Sequence, residues 1–147
     1  MQVHTRREGR FVALQALYWV ESTADPVELA VNELAGREGL SQGLTDFTLD
    51  LCRKVVDNRE RFNEMISGVA LNWDISRISR VDRIALWIGL AELFCSDDVP
   101  PKVAISEAIE LARAFSGEKA AGFVNGILDA IAKKEGIIEG ADRSPGG

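Results

Sequence analysis

Residues 81–95 read VDRIALWIGLAELFC, an apolar run interrupted mainly by Arg83 and Glu92. Ser79, two residues earlier, can cap a helix that continues through the run. At helical spacing the apolar residues cover nearly every side, and a helix with that pattern is buried at the centre of a protein. We therefore predict a central helix, with the rest of the chain packed around it.

Five further helices are predicted around this central one. The first begins at a capping box, Thr5-Arg6-Arg7-Glu8, and the second at Asp25-Pro26, with Asp25 as its cap and Gly36 as its stop. The predicted ranges are 6–21, 26–35, 45–67, 102–115 and 118–134. Because no segment alternates with the period of a β-strand, the chain is predicted to be all-α.

The length of 147 residues and the hydrophobic content of 46% suit one domain. Residues 1–135 are predicted to form it, and residues 136–147, which lack a periodic apolar face, to be a flexible C-terminal tail. The longest apolar run, 84–91, is too short for a bilayer, which takes about 20 residues. We expect a cytoplasmic protein without membrane contact, whose Cys52 and Cys95 are buried, reduced thiols.

Residues for catalysis or cofactor binding are scarce. The single histidine, His4, precedes the first helix, so no positioned base is available for a nucleophile. Glu107 and Glu110 lie three apart on one helix without a histidine to complete a metal site, and we interpret them as a solvated helix face. We predict no catalytic residue, metal or cofactor, and therefore a protein that is not an enzyme.

Three arginines at the start of the first helix are more informative. The chain has a net charge of −6, but in residues 1–10 Arg6, Arg7 and Arg10 against Glu8 give +2, which leaves −8 for the remainder. Cations at a helix N-terminus face the positive end of its dipole, a small penalty that needs a compensating reason. Two interpretations stay open: a solvated helix start whose Arg10 extends to water along the apolar stripe, or a local polyanion site.

The junction between the last two predicted helices, residues 114–126, is a second candidate region. It combines Phe115 and Phe123 with one cation, Lys119, and several small residues. Aromatic rings and a nearby cation can stack an unpaired base and contact its backbone. Core packing of the two rings is the favoured interpretation from the residues alone.

Two pairs of motifs in the chain resemble the NusB family. The first is Arg6-Arg7-x-x-Arg10 followed by ALQALY at 13–18, and the second is VPPKVAISEAIELAR at 99–113 followed by FVNGILD at 123–129. The similarity covers roughly residues 5–134. It implies an all-α fold of six to seven helices, arranged as two small helical bundles.

The resemblance also implies a function. Members of this family are transcription antitermination factors that pair with the ribosomal protein NusE, bind the boxA element of nascent RNA and act on RNA polymerase in ribosomal RNA operons. Carried onto this chain, the RNA surface comprises Arg6, Arg7, Arg10, Phe115, Lys119 and Phe123. The NusE surface comprises Asp82, Arg83 and Trp87. Trp87 stands where the family usually has arginine, and Lys119 where it often has an acidic residue.

Two other functions stay open. The chain could be a NusB-like RNA-recognition module that works with a separate RNA methyltransferase, since no methyltransferase domain follows in the sequence. It could also be a purely protein-binding helical module, a homodimer that covers its own arginines. Salt-dependent RNA binding distinguishes the homodimer from the RNA-binding functions.

Overall fold

The computed structural model describes residues 4–70 and 75–138. Within these residues the chain is helical and contains no strand, so the predicted all-α fold of six α-helices is confirmed. The helices are α1 (Arg6–Ser22), α2 (Val27–Glu38), α3 (Gln42–Val69), α4 (Arg80–Cys95), α5 (Pro101–Ser116) and α6 (Glu118–Lys134), with a short 3₁₀ helix at Ile75–Arg77. None of these helices is long and apolar enough to cross a membrane.

The helices form two groups of three. Each of α1, α2 and α3 contacts the other two, and so does each of α4, α5 and α6. Helix α4 also packs against α1 and α3, so it joins the two groups. This is the arrangement of two small bundles that the resemblance implied.

Helix α4 is the central helix that its apolar pattern predicted. Every residue from 84 to 92 is buried. At Gly89 a Cβ atom would lie 2.7 Å from Leu128 Cδ1 and 2.9 Å from Ala108 Cβ, so α4, α5 and α6 meet at that point. The absence of a side chain at Gly89 permits this close approach.

Two boundary predictions for α2 are wrong. Asp25 does not cap the helix, because its carboxylate accepts a hydrogen bond from Trp19 Nε1 at 2.8 Å and Pro26 occupies the cap position without a side-chain bond. Gly36 does not stop the helix either. The helix ends at Glu38 and is capped by Gly39, whose φ of 71° is left-handed and whose N–H reaches the carbonyls of the preceding turn.

The residues that follow α6 are partly packed. Ile137 and Ile138 pack against the core, although the flexible tail was predicted to start at Gly136. The rest of that tail, 139–147, lies outside the described residues.

Of the two cysteines, Cys52 is buried as predicted, and burial raises the pKa of its thiol well above the ordinary value. The predicted burial of Cys95 is wrong. This residue is only partly buried, because it stands at the last turn of α4.

Candidate nucleic-acid interface

The start of α1 is held by the predicted capping box. The Thr5 hydroxyl accepts a hydrogen bond from the Arg7 N–H at 3.2 Å, and the Thr5 N–H donates to Glu8 Oε2 at 2.7 Å. The contact with the Thr5 hydroxyl and the bond from the Thr5 N–H lower the pKa of Glu8. The cap therefore fixes the residue at which α1 begins, and with it the positions of the arginine side chains in the first turn.

Arg10 is buried, with 5% of its surface exposed. Its Nε and Nη2 donate to the two carboxylate oxygens of Glu92 on α4 at 2.7 and 2.9 Å, and its Nη1 lies 3.4 Å from Glu107 Oε1 on α5. The interpretation in which Arg10 extends to solvent is thus wrong, because the buried carboxylate of Glu92 draws the guanidinium inward. Arg10 does not present its charge on the surface.

Arg7 and Arg6 remain on the surface, with about half of each side chain exposed. Arg7 donates through Nε and Nη2 to the two oxygens of Glu107 at 3.1 and 2.9 Å. This bond lowers the pKa of Glu107 and raises that of Arg7. The predicted solvated face is therefore wrong for Glu107, whose carboxylate is mostly buried beneath two arginines.

Arg6 has a different partner from its neighbours. Its Nη2 donates to Asp98 at 3.0 Å, and this hydrogen bond lowers the pKa of Asp98. Its guanidinium also lies 4.6 Å from the centre of the Phe47 ring. Arg6 is thus positioned between α3 and the loop before α5, with its outer face in solvent.

Phe115 lies on the same side of the molecule as the surface arginines. Its ring is 40% exposed and packs edge-on against Phe11 at 5.6 Å between centroids. Arg7 and Phe11 are one turn apart on α1, and each contacts a residue of α5. The α1–α5 face, which we define as Arg6, Arg7, Phe11 and Phe115, therefore combines two cations with an exposed aromatic ring.

The other two predicted RNA residues line a separate cleft. Lys119 is exposed and Phe123 half-buried against the core, and both border a cleft of about 550 Å³ together with Asp82 at the start of α4. The predicted RNA residues therefore lie in two places. Lys119 and Phe123 lie beside Asp82, a predicted partner residue, whereas Phe115 lies near the surface arginines. Ser116, which also lines this cleft, directly follows Phe115 and connects the two regions.

The predicted partner residues differ in accessibility. The buried Oδ1 of Asp82 accepts no hydrogen bond from the described residues. The buried Nε of Arg83 donates none to them. Trp87 is 2% exposed, and its Nε1 donates to Asn63 Oδ1 at 2.8 Å. Asp82 and Arg83 are partly buried, and each has one solvent-inaccessible polar atom without a partner among the described residues, whereas Trp87 belongs to the packing between α3 and α4.

Sequence reasoning missed the acidic partners of the arginines. Glu92 is the only acid inside the apolar run of α4 after Asp82, and this isolation was a signal that a cation would pair with it. Asp98 and Glu107 gave no such signal, because surface helices and loops carry many acids. Their pairing with residues about one hundred positions away depends on the tertiary fold.

The family follows from comparison with known proteins. A model described as the NusB family matches residues 7–133. The chain belongs to the NusB family. A transcription antitermination protein NusB from Bacillus velezensis is 42% identical over 127 residues, which cover 86% of this chain and 94% of the relative.

Two solved structures share the fold of this NusB-family chain. NusB from T. maritima superposes with a TM-score of 0.82 at 31% identity, covering 90% of this chain and 94% of that one. A crystal structure of the antitermination factors NusB and NusE in complex with dsRNA superposes with a TM-score of 0.79 at 25% identity, covering 88% and 96%. The fold assigned from the sequence is thus that of the NusB family.

The groups that this NusB-family chain exposes on the α1–α5 face are suited to binding. Over residues 4–70 and 75–138, no group of three or more His, Cys, Asp or Glu side chains could hold a metal ion. The α1–α5 face instead offers guanidinium donors and an aromatic ring. Such groups suit a phosphate backbone and an unpaired base.

Proposed function

We propose that this chain is a transcription antitermination factor that binds boxA-type RNA together with NusE, within an antitermination complex on RNA polymerase. The main support is the superposition on a NusB solved with NusE and RNA. Relatives that cover most of the chain carry the same antitermination name. In this proposal the protein acts in the cytoplasm by binding alone and catalyses no reaction.

We assign the RNA backbone to Arg6 and Arg7. Both guanidinium groups reach solvent while held by an acid, so they are ordered before RNA arrives. Phe115 supplies an exposed ring on the same face, which can stack an unpaired base. Arg10 is a positioning residue in this proposal, because it anchors α1 to α4 from within the core.

We assign the cleft at the start of α4 to two ligands, the next part of the RNA strand and NusE. Lys119 and Phe123 meet the RNA where it passes the α5–α6 junction. Asp82 and Arg83 meet NusE, since both side chains are only partly buried at the start of α4 and Asp82 also lines the cleft. Trp87 supports this surface from below, because its ring is buried.

A titration of boxA RNA with and without NusE tests the function. The RNA is offered as a single strand and as a duplex, and binding is followed by fluorescence anisotropy. We expect the single strand to bind more tightly, because a paired base cannot stack on Phe115, and NusE to increase the affinity. Equal affinity for boxA and an unrelated single strand, with no response to NusE, contradicts the proposal.

A further inference from the structure

The arginine cluster at the start of α1 contains its own anions. Three guanidinium groups lie beside four carboxylates among the described residues, those of Glu8, Glu92, Asp98 and Glu107. The region that looked cationic in sequence therefore has no excess of positive charge. An RNA strand that approaches the α1–α5 face meets both signs of charge.

The carboxylates occupy the hydrogen-bonding positions that a phosphate would use. Glu107 takes the Nε–Nη2 edge of Arg7 with both oxygens, in the two-bond geometry in which guanidinium groups also bind phosphate. Glu107 is itself fixed by Arg10, so it does not swing away freely. Asp98 takes one amino group of Arg6 and is largely exposed.

These carboxylates stay charged at neutral pH. Arg7 lowers the pKa of Glu107, and Arg6 lowers the pKa of Asp98. Protonation therefore does not release the arginines under ordinary conditions. A phosphate must either displace the acid from its guanidinium or bind the remaining donors beside a negative charge, and both routes weaken its attraction.

We propose that Asp98 and Glu107 are affinity-setting residues of the RNA surface, which compete with phosphate for Arg6 and Arg7 and weaken the sequence-independent part of RNA binding. The inference rests on the proposed function of this face. Phosphate contacts carry no sequence information, so the two acids weaken binding of every RNA by the same factor. RNA that lacks favourable base contacts then stays unbound.

The test compares three variants that each remove one negative charge. Asp98→Asn and Glu107→Gln remove the acids in question, and Glu33→Gln removes the partner of Arg37, an exposed ion pair on α2. Anisotropy titrations use a boxA single strand and an oligo(U) of equal length. We expect each of the first two variants to bind both RNAs more tightly, by up to about fivefold, and Glu33→Gln to bind as the wild type does.

The outcomes separate this inference from the function beneath it. Thermal unfolding accompanies each titration, because Glu107 contacts the buried Arg10; Asp98→Asn carries the test if Glu107→Gln unfolds early. If Asp98→Asn and Glu107→Gln bind RNA with the affinity of Glu33→Gln, or more weakly than wild type, the inference is overturned. The proposed RNA-binding function is not affected by that outcome. Failure of wild type and all variants to bind either RNA refutes the proposed function, and this inference with it.

Discussion

The buried pair of Arg10 and Glu92 is expected to dominate the stability of the junction between the two helix groups. Glu92 has 1% of its surface exposed and receives both of its hydrogen bonds from Arg10. Glu92→Gln keeps the shape of the side chain but leaves the guanidinium without its main counter-charge. Removal of one partner from a buried pair costs about 3–5 kcal/mol.

We expect the lower end of this range, about 3 kcal/mol, because Glu107 still lies 3.4 Å from Arg10 Nη1. For a chain of this size 1 kcal/mol corresponds to roughly 2–4 °C in the unfolding midpoint, so the midpoint should fall by about 6–12 °C. Urea unfolding followed by circular dichroism measures the free energy. Glu33→Gln, in an exposed pair on α2, is the control and should cost below about 0.5 kcal/mol.

A double variant tests the reason for the loss. Arg10→Met with Glu92→Leu replaces the whole pair by apolar side chains, and such replacements are often neutral or stabilising. We expect it to recover most of the stability that Glu92→Gln loses. A cost below about 1 kcal/mol for Glu92→Gln, or a double variant less stable than the single one, would refute the view of Arg10 as a buried anchor.

Three further predictions concern single positions. Phe115→Ala should weaken binding of single-stranded boxA RNA by about fivefold or more in anisotropy with little change in unfolding midpoint; unchanged affinity removes Phe115 from the RNA surface. Gly89→Ala should destabilise the fold by about 1–3 kcal/mol in urea unfolding, because its Cβ would lie 2.9 Å from Ala108 Cβ, which cannot rotate away; an unchanged midpoint would mean that α4 and α5 can separate without cost. Arg7 lowers the pKa of Glu107 below its ordinary 4.5, so the stability from this pair is present above that pH and is lost as the pH falls through the folded pKa. Glu107→Gln should therefore lose less stability than wild type between about pH 5 and pH 3 in urea unfolding, and equal losses contradict the assignment.

The sequence was most informative where a pattern repeats along one helix. The all-round apolar character of α4 predicted a central helix, and that helix is buried from residue 84 to residue 92. The same pattern placed Trp87 inside, and its assignment to the partner surface came only from the family resemblance. The Trp87 ring is buried, as the apolar pattern of α4 predicted. An apolar ring at this position packs into the core, although the family usually has arginine there.

The sequence was least informative about contacts between distant helices. Arg6, Arg7 and Arg10 looked alike at the start of α1, yet one is buried and two are exposed. What separates them is the acid that each meets on α4, on α5 or in the loop between those helices. These acids are about 80–100 residues away in the chain, and no local pattern predicts which helix will face which arginine.

The salt dependence of RNA binding tests the assignment of the RNA surface most directly. The double variant Arg6→Ala with Arg7→Ala is compared with wild type and with Arg37→Ala combined with Arg53→Ala, which removes two exposed, paired arginines from α2 and α3. Affinity for a boxA single strand is measured over a range of salt concentrations. Loss of two phosphate contacts should weaken binding and flatten the slope of log K against log salt by about 1.4, while the control keeps the wild-type slope. Wild-type affinity and slope in the Arg6 and Arg7 double variant would contradict the account and place the RNA elsewhere on the molecule.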